Sequence, residues 1–210
     1  MEPIDLKTWK RREAFAFFSR ISNPFYMVTF RQDVTNLSAY AKRRGLSFYY
    51  AMVWACARSI NQVDAFRVAL RDGKPYYLPE RKPSFTDLRK NSEQFHIVTM
   101  DLTSDPEAFC AEAARISQAQ EGFVDEAKET DDLIYLSCLP WFEMTAFTNE
   151  RDLSAPGARD DSIPRLARGR YAEENGRKVL GLSVEVNHRL IDGVHIGRFA
   201  ENLTACIQSL

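Results

Sequence analysis

The sequence predicts an α/β (α+β) two-layer sandwich, a mixed β-sheet packed against helices. Three observations carry that prediction. Strand-like and helix-like stretches are mixed without strict alternation, which suits such a sandwich better than a doubly wound parallel sheet. No GxGxxG or GxxxxGKS segment is present, so the usual nucleotide-binding turns are missing. The C-terminal part pairs an alternating strand pattern, "VLGLSVEV", with a long helical pattern. A length of 210 residues suits one domain spanning 1–210, and 45% hydrophobic residues suffice for a core.

Residues 9–21 read as a helix containing Phe15, Phe17 and Phe18, broken by "NPF" at 23–25. "YMVTFRQDV" reads as a strand. Thr35 or Asn36 can cap a short helix that runs to Arg44 and ends at Gly45. Ser47 can cap a longer helix, "FYYAMVWACARSIN", apolar nearly all round and so expected to be buried. "KPYYLP", "SFTDL" and "QFHIVTMDL" read as strands. "SDPEAFCAEAARISQAQEG" reads as a helix with Pro106 in its first turn and Gly122 beyond its end. "LIYLSCL" and "FEMTAFT" read as two strands joined at Pro140-Trp141. Residues 150–163 read as loop, "VLGLSVEV" as the last strand and 193–208 as the last helix.

The formal net charge is −1, and the basic clusters "KRRE" and "AKRRG" are short, which argues against nucleic acid as a main partner. Four cysteines, Cys56, Cys110, Cys138 and Cys206, lack CxxC spacing, so neither a zinc site nor a disulfide framework is expected. No signal-peptide pattern and no apolar run of membrane-spanning length appears; a soluble, cytoplasmic protein without membrane association is expected.

The chemistry points to "VEVNHRLIDGVHIGRF". Leu180, Leu182, Val184 and Val186 share one strand face, and His188 continues that parity at the strand end. Asp192 follows at the start of a helix whose Ile196, Phe199, Leu203 and Ile207 form an apolar stripe. Such a pattern fits a satisfied core histidine followed by an N-cap. It also fits a strand-end general base, because imidazole titrates near neutral pH. Ser137 lies inside the apolar "LIYLSCL", where its hydroxyl either bonds its own backbone or donates to a developing oxyanion.

Taken together these segments resemble the chloramphenicol acetyltransferase family. "VNHRLIDGVHIGRF" is similar to its His-x3-Asp-Gly signature, "LSCLPW" to its Ser-x-x-Pro-Trp segment, "IDLKTWKRREAFAFF" to its opening helix and "SINQVDAFR" to a later one. The matches run in family order from about residue 4 to 208. The resemblance implies a trimer with active sites between subunits and acetyl-CoA as co-substrate, with no bound cofactor or metal. It implies that His188 deprotonates the hydroxyl of a small acceptor, Ser137 stabilises the oxyanion, and Asp192 pairs with Arg11, or with Arg12 if the register shifts by one. His195 is implied to be structural. Tyr171, Arg170 and Tyr49 are implied on the CoA side, and Phe17 and Phe18 beside the acceptor. Cys138 has the opposite strand parity from Ser137 and reads as core.

Some positions depart from the family pattern. Asn187 stands for the first histidine of a pair and Ala167 for a threonine near the oxyanion. Ser47 stands for a lysine at a CoA phosphate, where Arg43, Arg44 or Arg170 could compensate. Phe18 stands for a tyrosine that contacts the drug, which weakens the expectation for chloramphenicol itself. "NHRLIDG" also resembles dihydrolipoyl acyltransferase cores, but an Ala/Pro-rich linker and a lipoyl-lysine domain are missing from this sequence. A trimeric homologue that binds CoA or another ligand with little turnover is the non-enzymatic alternative.

Overall fold

A computed structural model describes residues 2–155 and 157–210. A large mixed sheet forms one layer. Its main strands are β2 (Phe25–Asp33), β5 (Lys82–Leu88), β6 (Phe95–Thr99), β7 (Leu133–Leu139), β8 (Arg165–Gly169) and β10 (Arg177–Asn187), in the order β2-β10-β8-β7-β5-β6. The short strand β9 (Ala172–Glu174) pairs with the start of β10. β7 runs parallel to both β5 and β8, and the other pairs are antiparallel. A second sheet joins β1 (Glu2–Pro3), β4 (Lys74–Tyr77) and β3 (Val68–Arg71).

The helices are α1 (Arg12–Phe18), α2 (Thr35–Arg44), α3 (Phe48–Asn61), α4 (Pro106–Ala119) and α5 (Gly193–Gln208). α3 is the central one. Nine of its residues are buried, and it packs against α4 and α5. Its N-terminus is capped by the Ser47 side chain, which accepts from the backbone N–H of Tyr50 at 3.4 Å. The core between the layers includes Leu136 of β7, Leu166 of β8, and Leu180, Leu182, Val184 and Val186 of β10. Phe199 and Leu203 of α5 meet them, as the apolar stripe predicts.

Several sequence expectations need correction. The opening helix is shorter than 9–21. Residues 5–11 form turns, held partly by the Asp5 carboxylate accepting from the backbone of Lys7 at 2.9 Å. "FEMTAFT" is not a strand but an extended cover on the face of the sheet opposite α3. It pairs with side chains instead of a ladder: the Phe147 N–H donates to Ser183 Oγ at 3.1 Å and, just after it, the Asn149 N–H to Glu185 Oε2 at 2.9 Å. Gly181 makes this approach possible, because a Cβ there would collide with the Met144 carbonyl. Strand β4 lies where "KPYYLP" was read as a strand, but its hairpin partner β3, joined through Asp72 and Gly73 at positive φ, and strand β8 were not foreseen. Among the described residues, no helix is long and apolar enough to cross a membrane.

Candidate active site

His188 directly follows β10, and its backbone N–H donates to the Pro24 carbonyl at 2.8 Å. Its imidazole stacks on Phe18, with centroids 3.8 Å apart and planes at 22°, and lies 4.4 Å from the tilted ring of Tyr26. Burial between these rings holds its pKa below the ordinary histidine value, against the pull of the Asp192 carboxylate; Arg11 pushes it further down. The ring is therefore neutral at neutral pH and able to accept a proton.

Arg11 organises the turn behind it. Its Nε donates to the Arg189 carbonyl at 2.9 Å and its Nη2 to the His188 carbonyl at 2.6 Å and Asp192 Oδ1 at 2.7 Å. Nη1 binds Asp192 Oδ2. Asp192 Oδ1 also lies 3.3 Å from His188 Nε2. The hydrogen bonds to Arg11 hold the Asp192 carboxyl below the usual carboxylate range. Arg12, the other candidate for this pair, sits at the surface and meets Glu13.

The two histidines of the motif differ. The His195 Nδ1 accepts the backbone N–H of Asp192 at 2.9 Å, closing the start of α5. That bond needs an unprotonated Nδ1, and burial lowers the His195 pKa accordingly. Asp192 occupies the N-cap position, but its carboxylate is held by Arg11. Asn187 is buried on the opposite face, where its Nδ2 donates to the carbonyls of Arg159 and Asp161 at 2.9 and 3.0 Å.

Ser137 lies elsewhere. It pairs with Ala167 on β8, which pairs with Ser183 on β10. Paired residues share a face, and Ser183 faces the 142–149 cover, so Ser137 faces away from the helices. His188 lies five residues beyond Ser183, at the helix-side end beside Tyr26. Strand geometry puts the two residues roughly 17 Å apart along the strands and about 10 Å across them. One subunit does not bring them together. Ser137 is half-buried, and its hydroxyl makes no hydrogen bond among the described residues. Burial pushes the neighbouring Cys138 thiol up, so it is a poor nucleophile.

A family model described as chloramphenicol acetyltransferase matches residues 1–204. The chain belongs to the chloramphenicol acetyltransferase family. It is 32% identical to the chloramphenicol acetyltransferase of Streptomyces acrimycini over 206 residues, covering 96% of this chain and 91% of that one. It is 29% identical to chloramphenicol acetyltransferase 2 of Escherichia coli over 203 residues, covering 95% and 93%. A solved chloramphenicol acetyltransferase superposes with a TM-score of 0.87 at 24% identity, over 99% of this chain and 100% of that one. A dihydrolipoamide acetyltransferase of Azotobacter vinelandii shares the fold, with a TM-score of 0.68 at 18% identity over 93% and 85%.

The remaining residues of interest cluster on the helix side. Tyr49 donates its hydroxyl to the Thr86 carbonyl at 2.5 Å. Tyr171 meets Phe48 edge-on at 5.6 Å and lies under the Lys178 ammonium, 4.8 Å from its centroid. Arg170 is exposed, and its side chain has no hydrogen bond or ion pair among the described residues. Arg43 reaches the Leu210 carbonyl and Arg44 pairs with Glu107, so both have partners of their own. Phe17 is 61% exposed, edge-on to Phe18.

Sequence reasoning missed Tyr26, Lys178 and Arg168. Tyr26 becomes visible only when β2 is registered on β10, with Tyr26 opposite Val186. Arg168 lies on a strand whose five residues show too little alternation to be read.

Proposed function

We propose that this protein is an acetyl-CoA-dependent O-acetyltransferase acting on chloramphenicol or a related small hydroxyl compound, and that it works as a homotrimer. The family membership supports the reaction. The observation that carries the assignment of residues is the neutral, aromatic-flanked His188 held by the Arg11–Asp192 pair.

In this reading the His188 imidazole takes the proton of the acceptor hydroxyl as its oxygen attacks the thioester carbonyl. The oxyanion of the tetrahedral intermediate accepts a hydrogen bond from the Ser137 hydroxyl. Collapse breaks the carbon–sulfur bond, and the imidazolium returns its proton to the thiolate, giving the ester and free CoA. General-base catalysis of this kind contributes about 10²–10⁴ in rate, and one oxyanion donor about 10²–10³. Asp192 and Arg11 act as positioning residues that fix the turn after His188. Tyr49, Tyr171 and Arg170 belong to the donor side, and Phe17 and Phe18 to the acceptor side.

The separation of His188 and Ser137 supports a site shared between subunits, each supplying one of the two. Closed cyclic symmetry repeats such a heterologous contact three times. Cytoplasmic action goes with this reading, since acetyl-CoA is the donor, and drug resistance follows where chloramphenicol is the acceptor.

The test is thiol release from acetyl-CoA over a panel of hydroxyl acceptors that includes chloramphenicol. The reading expects release that depends on an acceptor hydroxyl. CoA binding without turnover on any acceptor would replace it with a ligand-binding role.

A further inference from the structure

Arg168 is a cation without a counter-charge. Only 8% of its surface is exposed, no carboxylate pairs with it among the described residues, and its Nε has no hydrogen-bond partner. Its single hydrogen bond among the described residues runs from Nη1 to the neighbouring Gly169 carbonyl at 3.2 Å. The guanidinium lies over Phe48 and Tyr49, 5.1 and 5.4 Å from their centroids. Other buried arginines show what a structural role looks like. Arg81, fully buried, donates to the carbonyls of Phe66, Val68, Asp131, Leu133 and Ser162. Arg189, also buried, pairs with Asp160.

A second cation lies at the far side of the Phe48–Tyr171 pair. Lys178 also lacks a carboxylate partner among the described residues. Its Nζ meets Ser38 Oγ at 2.9 Å and the Tyr171 hydroxyl at 3.5 Å. Phe48 touches both the Arg168 guanidinium and the Tyr171 ring, so two unpaired cations bracket a pair of aromatic faces. They do so at the N-terminus of the 14-residue α3, whose first turn holds no acidic residue and whose dipole adds positive potential. Ser47 is occupied as its cap. The crevice beneath Arg168 has a volume of only about 10 Å³, at the limit for one water, so the core side has no room for an anion.

We propose that Arg168 and Lys178 form the anion seat for the phosphate groups of the acyl donor, with Phe48 and Tyr171 as its aromatic walls. The proposal rests on the acyl-transfer reading above and names which cations of this chain read the donor's charge. Guanidinium and ammonium on phosphate make charge-assisted bonds, and an unpaired buried cation is pre-placed to gain most from them.

The experiment compares acetyl-CoA with S-acetylpantetheine, which has the same thioester and no phosphate. The wild type, Arg168→Met and Lys178→Met are measured with one acceptor. Each substitution is expected to lower the preference for acetyl-CoA, the ratio of the two kcat/KM values, by about tenfold or more. The melting temperature without donor is expected to hold or rise in Arg168→Met, because a buried charge with no partner is removed. The shift that CoA adds should shrink in both variants. An unchanged ratio in both variants overturns the proposal. So does an Arg168→Met protein that melts several degrees lower with its ratio intact, which would mark a structural cation. If instead Arg168→Met selectively loses succinyl-CoA turnover while acetyl-CoA is unaffected, the anion is an acyl carboxylate and the phosphate assignment falls. A wild type inert with both donors would refute the acyl-transfer reading itself, a result distinct from all of these.

Discussion

The corner around His188 and the strand that carries Ser137 are built in opposite ways. At the corner the turn is tied down: Arg11 takes the carbonyls of 188 and 189 and both carboxylate oxygens of Asp192, and His195 takes the Asp192 N–H. At Ser137 the hydroxyl is left without a partner among the described residues. In the proposed roles, a base must be oriented and kept neutral before anything binds, and the turn that carries His188 is held in the resting protein. An oxyanion donor is needed only when charge develops in the transition state, so its hydrogen bond is best left unmade until then.

The largest effect is expected at the base. His188→Ala should lower kcat by at least about 10²-fold while CoA binding survives. His195→Ala should instead act through stability, since its ring closes α5. A crippling His195→Ala beside a mild His188→Ala would reverse the assignment. Ser137→Ala should cost about 10²–10³ in kcat with little change in melting temperature, because no resting bond is lost.

Arg11→Ala attacks the held corner. It takes the guanidinium from the Asp192 carboxylate and frees two carbonyls, at a cost of about 2 kcal/mol. For a chain of this size that lowers the melting temperature by roughly 4–8 °C in calorimetry. A drop in kcat with no thermal change would show that Arg11 acts in the chemistry and not in positioning.

The pH profile sharpens the same contrast. Burial lowers the His188 pKa, so the base stays active down to a pH below the usual histidine value. Activity should be flat near neutrality and fall only as the imidazole takes up a proton on the acid side. A profile still rising above pH ~7 would contradict the burial, since an unperturbed histidine titrates near 6.5.

How much of this was legible in the sequence depends on how local the cause is. β7 and α5 were read at their observed bounds because alternation, caps and the apolar stripe are local signals. The pairing of Arg11 with Asp192 and a structural role for His195 came only from the resemblance; the structure has Arg11 on the Asp192 carboxylate and His195 on the Asp192 N–H. "FEMTAFT" carries strand-like residues, yet the Phe147 N–H finds Ser183 and the Thr148 hydroxyl finds Glu185, partners set by tertiary contact. The unpaired state of Arg168 is likewise invisible without β8 registered between β7 and β10.

A smaller effect is expected at the acceptor. Phe18 stacks on His188 and has no hydroxyl to offer. Phe18→Tyr should improve chloramphenicol turnover by about two- to tenfold in kcat/KM, the worth of one hydrogen bond. Loss of activity would mean that the stacking, and not the missing hydroxyl, governs this position.

The central claim is that His188 of one subunit works with Ser137 of another. Co-expressing His188→Ala and Ser137→Ala chains, each inactive alone, tests it most directly. In a cyclic trimer with shared sites, every mixed trimer contains one interface where an intact His188 meets an intact Ser137. Random mixing in equal amounts makes three-quarters of the trimers mixed, so activity should return to about a quarter of wild type. Mixed trimers no more active than the separate variants would place both residues in one subunit's site and contradict the account.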